Sequence, residues 1–333
     1  MAWDILSHKW AAEMLRQHIA SGRMRHAYLF TGPKGVGRRT LALQFAQAVN
    51  CIQPIEDGLP CGECRACRQI GRMQQADLSV VESEAEGESL KVDQVRELQR
   101  ALSLTPYESN YRVALLLRFE EATPGAQNAL LKTLEEPNKR VVILVTADDP
   151  DNLLPTITSR CELLRLRPMP PDDLADALQE RKHISKEKAE LIAHAAGGRP
   201  GTAINMAEDE FLLEKREEWI HSFFRLVKAN QRDRLMFSQS KTYRIPREKA
   251  KQELREGFKQ WLSLWRDCML LASGSRTALT NLDAASRLES LAGKVGVKQA
   301  ARLAGRLEHS FARMGNANLQ LMLDNLLLEW PRI

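Results

Sequence analysis

No stretch of this 333-residue sequence is apolar for the roughly 18 residues that a membrane-spanning helix needs. The first ten residues, MAWDILSHKW, lack the apolar core of a signal peptide. A net charge of +5 is small for this length, so charge alone does not indicate nucleic-acid binding. Repeats and low-complexity tracts are also missing. We therefore expect a cytoplasmic globular protein of two or three domains, with no membrane partner.

The segment TGPKGVGRRT is a degenerate phosphate-binding loop. Gly32 and Gly37 have the spacing of the pattern G-x-x-x-x-G-K-[ST], and Gly35 lies between them. The pattern needs a lysine for the β- and γ-phosphates and then a hydroxyl for magnesium, but this chain has Arg38 and Arg39. The sequence therefore predicts nucleotide-hydrolase ancestry without hydrolysis. The three glycines and Arg38 are the residues that would contact a nucleotide if one binds.

Strand and helix patterns alternate around this loop, which predicts an α/β domain with a parallel sheet. Short apolar runs indicate buried strands at residues 26–31, 77–82, 112–117, 141–146 and 163–166. Amphipathic patterns predict helices over residues 3–21, 39–51, 92–104 and 126–136.

The proline-rich segment around Pro168, Pro170 and Pro171 predicts a domain boundary. We expect a nucleotide-binding-like domain over residues 1–168 and a small helical unit over 169–208, which the sequence GGRPG interrupts. Residues 209–333 show strongly apolar-faced helical patterns and almost no strand signal. They predict an all-α domain whose helices pack on one another or on neighbouring subunits.

A cluster of cysteines follows the second predicted helix with the spacing C-x9-C-x2-C-x2-C, at Cys51, Cys61, Cys64 and Cys67. Two Cys-x2-Cys steps let thiolates converge on one tetrahedral ion, so we predict a structural zinc site. Disulfides and an iron–sulfur cluster are the alternatives; the first conflicts with a reducing cytosol and the second lacks a redox partner motif. The isolated Cys161 and Cys268 are expected to be buried apolar side chains.

Four features together resemble a known family: the loop, the cysteine insert, NALLKTLEEP at residues 128–137 and TITSRC at residues 156–161. Their order is similar to that in the delta-prime group of bacterial clamp-loader subunits, which are AAA+ proteins of the DNA polymerase III holoenzyme. The resemblance covers the whole chain. It implies an AAA+ P-loop-type parallel-sheet domain with a zinc module at 51–67, then a helical lid and an all-α C-terminal collar.

The resemblance also identifies the positions at which an active ATPase of this family would carry its catalytic residues. A magnesium-binding Asp and a water-polarising Glu would stand at Leu117 and Arg118, and a lid arginine would stand at Gly201. Glu120 and Glu121 lie beyond the apolar run, so we do not expect them to substitute for the missing acidic pair. Three losses in one chain indicate a subunit that does not hydrolyse ATP.

Two family residues remain. Thr146 matches the polar residue that senses phosphate in the family, and Arg160, in Ser-Arg-Cys, matches the arginine that faces a neighbour's nucleotide. The resemblance therefore implies Arg160 as a catalytic residue in trans, gamma or tau and delta subunits as partners, and the sliding clamp and primed DNA as targets of the complex.

Two rival hypotheses remain at this level. An active gamma- or tau-type ATPase would need lysine and a hydroxyl at 38 and 39 and acidic residues at 117 and 118. A zinc-dependent nucleic-acid-binding protein with a vestigial nucleotide fold would need basic and aromatic residues around the cysteines. The cysteine window has Arg65, Arg68 and Arg72 but no aromatic residue.

Overall fold

The computed structural model describes residues 3–84, 86–242, 246–315 and 317–333. The chain divides into two compact units. Residues 1–170 and 199–202 form the first unit, and residues 171–198 and 203–333 form the second. The three-domain division at 168 and 208 stays a prediction. The change of unit after Pro170 lies within the proline-rich segment.

The first unit is an α/β fold with a five-stranded parallel sheet in the order β2-β3-β4-β1-β5. Its strands are β1 Ala27–Thr31, β2 Leu78–Val81, β3 Arg112–Leu116, β4 Val141–Ala147 and β5 Glu162–Arg165. Its helices are α1 Lys9–Ala20, α2 Arg38–Asn50, α3 Arg65–Gly71, α4 Val92–Leu102, α5 Pro124–Glu135 and α6 Pro155–Thr158. Two short 3-10 helices span Phe119–Glu121 and Pro150–Asn152. The five predicted strands are confirmed within two residues at each end.

Helices cover both faces of this sheet, which explains why its central strands are apolar throughout. Tyr28 and Phe30 of β1 pack in a core with α1 and α2, whereas Ala27 and Leu29 pack in a core with α4, α5 and α6. Side chains alternate between the two faces along a strand, so every residue of β1 is buried. Because the five strands are parallel, their carboxyl ends lie at one edge of the sheet, and so do the loops that follow them.

The first helix starts later than the sequence predicts. α1 begins at Lys9, not at residue 3, because His8 has a left-handed backbone (φ 64°) and Trp3 leaves the helical path. The Trp3 indole N–H donates to the Gly58 carbonyl at 3.0 Å, and its ring lies 6.4 Å from that of Phe45. A long-range hydrogen bond thus overrides a local amphipathic pattern.

The second unit is helical, as predicted. Its helices are α7 Pro171–Lys182, α8 Lys186–Ala195, α9 Pro200–Glu208, α10 Glu210–Lys228, α11 Gln231–Thr242, α12 Arg247–Ala272, α13 Ala285–Arg313 and α14 Leu319–Leu328; the first residues of α9 belong to the first unit. Edge-to-face aromatic pairs fill its core, with ring centroids 5.3 Å apart for Trp219 and Trp261 and 5.4 Å apart for Trp265 and Trp330. None of the helices in the described ranges is both long and apolar enough to cross a membrane.

A buried carboxylate fixes the loop between α4 and β3. Asp77 is fully buried and accepts hydrogen bonds from the backbone N–H groups of Tyr107 (2.7 Å), Glu108 (2.9 Å) and Ser109 (3.0 Å). The Arg112 guanidinium donates to it at 3.2 Å. Burial acts to raise the pKa of Asp77, but the three backbone donors and Arg112 outweigh it and hold that pKa below its usual value.

We predict that Asp77→Ala destabilises the first unit by about 3–5 kcal/mol, because it leaves Arg112 without its buried counter-charge. The folded pKa of Asp77 lies below the unfolded value of about 3.9, so the carboxylate stabilises the fold above that pH. The difference between wild type and variant should shrink as pH falls through the folded pKa. Urea unfolding at several pH values measures this, with Asp176→Ala, on an exposed helix face, as the control. Equal stability of Asp77→Ala and wild type at pH 7 would contradict the prediction.

Candidate functional site

The degenerate phosphate loop joins β1 to α2 at the carboxyl edge of the sheet. Gly32, Gly35 and Gly37 all have positive φ, at 141°, 83° and 112°. A β-carbon at Gly32 would lie 2.2 Å from the Leu166 carbonyl oxygen, so only glycine fits there. The structure therefore brings the three predicted glycines into a tight strand-to-helix turn.

A segment from far along the chain packs directly on this loop. Residues 199–202 belong to the first unit, and the Gly201 N–H donates to the Gly35 carbonyl at 2.8 Å. A β-carbon at Gly35 would lie only 2.2 Å from the Thr202 hydroxyl oxygen, so any side chain at position 35 would clash with Thr202. Gly201, where the resemblance implies a lid arginine in active members, therefore contacts the loop through its backbone N–H.

Arg38 points into the protein and pairs with Glu120. Its Nη1 lies 3.8 Å from Glu120 Oε1, and only 10% of the Arg38 side chain is exposed. Burial lowers the pKa of Arg38 and raises the pKa of Glu120, although their mutual attraction opposes both shifts. Arg38 Nη1 and Glu120 Oε2 have no hydrogen-bond partner among the described residues. The structure thus gives Arg38 an internal carboxylate as its counter-ion.

The two residues that follow β3 at the same edge of the sheet cannot bind magnesium. Leu117 is buried, and Arg118 has a left-handed backbone with φ 50°. The Arg118 guanidinium pairs with Glu121 at 3.0 Å and with Glu82 at 3.2 Å. Glu121 therefore already has a cationic partner, which agrees with the prediction that it does not replace the missing acidic pair.

Thr146 lies at the end of β4, as its proposed sensing role requires, but its hydroxyl is engaged. It accepts a hydrogen bond from the Arg118 backbone N–H at 3.0 Å and donates to the Leu116 carbonyl at 3.4 Å. The side chain is buried. In this structure Thr146 therefore links two adjacent strand ends.

Arg160 lies just after α6, apart from the loop residues, and is partly exposed. Its Nη2 lies 2.8 Å from Glu135 Oε1 at the end of α5, and its Nη1 donates to the Thr156 carbonyl at 2.9 Å. Its side chain is 35% exposed. Two anchors on neighbouring helices thus hold the guanidinium at the surface.

The four clustered cysteines converge as predicted. Their Sγ atoms all lie within 4.8 Å of one another, and Cys51 is 3.5 Å from Cys61 and 3.9 Å from Cys64. A disulfide would need about 2.05 Å, whereas a tetrahedral ion with bonds of about 2.3 Å needs edges of about 3.8 Å. The four side chains can therefore hold a metal ion.

Backbone amides prepare this cluster for negative charge. The N–H groups of Cys61, Cys64 and Cys67 donate to the sulfurs of Cys51, Cys61 and Cys64, at 3.2–3.4 Å. Burial acts to raise the pKa of Cys64, but hydrogen bonds from the Cys67 N–H and from other donors outweigh it and lower that pKa to about 6. Burial raises the pKa of Cys51 and of Cys67, so a bound cation would be needed to hold all four as thiolates. Helix α3 carries Cys67 into the cluster.

The two remaining cysteines lie outside this cluster. Cys268 is fully buried in the helical unit, and Cys161 is partly buried against the sheet core. Burial raises the pKa of Cys161 to about 12 and that of Cys268 to about 11, so both thiols are protonated at neutral pH.

Two residues that contribute to this region were not identified from the sequence. Glu120 was considered only as a replacement metal ligand, and its partnership with Arg38 depends on a turn in the 3-10 helix after β3. The contact of Thr202 with the loop joins residues more than 160 positions apart. The glycine at 201 indicated an altered lid, but no local pattern predicts which residues contact this segment.

Family models match most of the chain. The family described as "DNA polymerase III, delta subunit" matches residues 7–170, and "DNA polymerase III, delta subunit, C terminal" matches residues 212–332. The chain belongs to this DNA polymerase III subunit family, within its delta-prime group. The predicted function is thereby confirmed at the level of a clamp-loader-type subunit of DNA polymerase III.

Individual relatives of the chain are also subunits of DNA polymerase III. The chain is 28% identical to DNA polymerase III subunit delta-prime of Bacillus subtilis (strain 168), over 95% of this chain and 94% of the relative. It is 33% identical to the delta-prime subunit of Pseudomonas aeruginosa, over 66% of each. It is also 30% identical to the gamma/tau subunit of Mycobacterium tuberculosis (strain ATCC 25618 / H37Rv), over 62% of this chain but 36% of that relative.

A solved structure supports the fold. A DNA polymerase III gamma subunit-related protein from Thermotoga maritima MSB8 matches 95% of this chain and 97% of its own, with a TM-score of 0.51 and 21% identity. At that identity the likeness shows the fold alone. The predicted combination of an α/β domain with a parallel sheet and a helical C-terminal part is confirmed.

Proposed function

We propose that this chain is a clamp-loader subunit that does not hydrolyse ATP and that supplies Arg160 to the ATP site of a neighbouring subunit. The observation that carries the proposal is the buried pair of Arg38 and Glu120, 3.8 Å apart. It places the residue at the lysine position of the phosphate loop against an internal carboxylate. The function is thus one of assembly and of support for a neighbour's chemistry.

Three features make the chain's own site unsuitable for turnover. Arg38 has Glu120 as its counter-ion, so binding a phosphate there requires breaking a buried ion pair. The side chains of Leu117 and Arg118 cannot ligate magnesium or polarise water. Gly201 and Thr202 contact the loop through a backbone N–H and a hydroxyl, and Gly201 has no guanidinium at the position that the resemblance assigns to the lid arginine.

Arg160 has what a residue acting in trans needs. Its guanidinium is partly exposed, yet Glu135 and the Thr156 carbonyl restrict its position. A planar guanidinium can present two parallel donors to the oxygens of a transferring phosphoryl group. In other phosphoryl-transfer proteins such an arginine raises the rate by ~10³–10⁵.

The partners follow from the family. Gamma or tau subunits, which are relatives of this chain, would provide the active ATP sites, and a delta subunit would complete the ring. The complex would open the sliding clamp and place it on primed DNA in the cytoplasm. The helical second unit would contribute to the collar that holds the ring together.

The cysteine cluster would hold one zinc ion with a structural role. Four thiolates close a tetrahedral site and leave no position for a catalytic water. The metal would join Cys51, at the C-terminal end of α2, to Cys67 of α3, and so stabilise the insert between the two helices.

Metal analysis tests the zinc assignment. We expect about one zinc ion per chain, and Cys64→Ser should lose most of it together with several kcal/mol of stability, because metal binding is coupled to folding. Cys161→Ser is the matched control, since this thiol lies outside the cluster. A reduced, chelator-free preparation without zinc would contradict the assignment.

Substitution of Arg160 tests the trans role in a reconstituted complex with gamma or tau and delta subunits. Arg160→Ala should leave assembly intact and reduce DNA-stimulated ATP hydrolysis only in part, with a loss of up to ~10³-fold confined to the one dependent site. Arg160→Lys should not restore full activity, because an ammonium lacks the planar pair of donors.

Glu135→Gln separates the trans role from a structural one. It removes the anchor but keeps the guanidinium, so it should cost much less activity than Arg160→Ala. Because Arg160 is more than a third exposed, losing its ion pair should change stability by no more than ~1 kcal/mol. If Arg160→Ala lowers the melting temperature and assembly while the surviving complex has normal activity, the residue is structural and the trans role is wrong.

A further inference from the structure

Helix α3 carries three arginines on one exposed face. At about 100° per residue, Arg65, Arg68 and Arg72 fall within an arc of about 60°. Ala66, Cys67 and Ile70 lie on the opposite side and are buried. All three arginines are exposed, and the structure shows no ion pair for the side chain of Arg68 or Arg72 within the described residues. Two cations without local counter-ions therefore stand on this face.

The fold brings a loop with an aromatic residue beside this helix from another part of the chain. Arg65 Nη2 lies 3.5 Å from Glu108 Oε2, and the Gln75 amide, just beyond α3, donates to the Ser109 hydroxyl. Both ends of the α3 segment are thus attached to residues 108–109. Tyr107 directly precedes Glu108 in the chain, so its backbone lies beside the α3 segment.

Tyr107 is presented in a fixed position. Its side chain is 84% exposed, yet its backbone N–H is bound by the buried Asp77 carboxylate, as are the next two N–H groups. An exposed aromatic ring on a rigid loop loses little conformational entropy when it binds a partner. The loop before β3 thus carries an exposed aromatic residue next to Glu108, which pairs with Arg65 of α3.

We propose that Arg65, Arg68, Arg72 and Tyr107 form a binding surface for single-stranded nucleic acid. The arginines would contact backbone phosphates, and a base would stack on the Tyr107 ring. Charge complementarity favours this partner. Arg68 and Arg72, which have no ion pair among the described residues, lie about one α-helical turn apart on α3, so each can contact a different phosphate of the same strand. Duplex bases are already stacked, so a duplex would use only the arginines.

Fluorescence anisotropy of a labelled oligothymidylate, titrated with the full-length chain at several salt concentrations, tests the surface. Arg68→Glu/Arg72→Glu should weaken binding at least tenfold. It should also make the slope of log affinity against log salt shallower by about 1.4, the value for two phosphates. Tyr107→Ala should weaken binding about tenfold, and Tyr107→Phe should bind like wild type.

The matched control is Lys298→Glu/Arg302→Glu, which makes the same charge change on an exposed face of α13 in the other unit. It should stay within twofold of wild type. Zinc content and melting temperature report whether each variant is folded, and Arg68→Gln/Arg72→Gln is the milder substitute. The proposal is overturned if wild type does not bind, if the control weakens binding equally, if Tyr107→Ala has no effect, or if duplex of the same length binds as tightly.

Discussion

The ion pair between Arg38 and Glu120 determines what the carboxyl edge of the sheet can do. Two charged groups with little solvent contact are stable only when they remain together, since removing either one leaves an uncompensated buried charge. The pair also stands at the phosphate loop, where the pattern has a lysine. This ion pair thus stabilises the turn and gives the Arg38 guanidinium a partner other than a phosphate.

The surrounding residues fit this arrangement. Arg118 is neutralised by Glu82 and Glu121, and Thr146 binds the Arg118 backbone. The edge therefore satisfies its charges largely with its own side chains. Arg160, in contrast, stays partly exposed on separate anchors. This distribution matches a subunit that acts on a neighbour and whose own loop serves as structure.

The strands and the glycine turn were predictable from the sequence because their causes are local. Continuous apolar runs such as RVALL mark buried parallel strands, and the spacing of Gly32 and Gly37 marks the turn. The cysteine cluster was predictable for the same reason. The start of α1 was not, because it depends on a hydrogen bond from Trp3 to Gly58. The partner of Arg38 and the contact of Glu108 with α3 also depend on residues distant in sequence, so no local pattern predicts them.

Binding of nucleotide to the isolated wild-type chain tests the central claim most directly. Calorimetric titration with magnesium-ATP and with ADP should show no saturable heat, because Arg38 is already paired and no residue at 117 or 118 can hold the metal. The same titration of Glu120→Gln reports how far the internal carboxylate is responsible. Saturable binding of magnesium-ATP to the wild-type chain would contradict the claim that the ion pair with Glu120 keeps Arg38 from a phosphate.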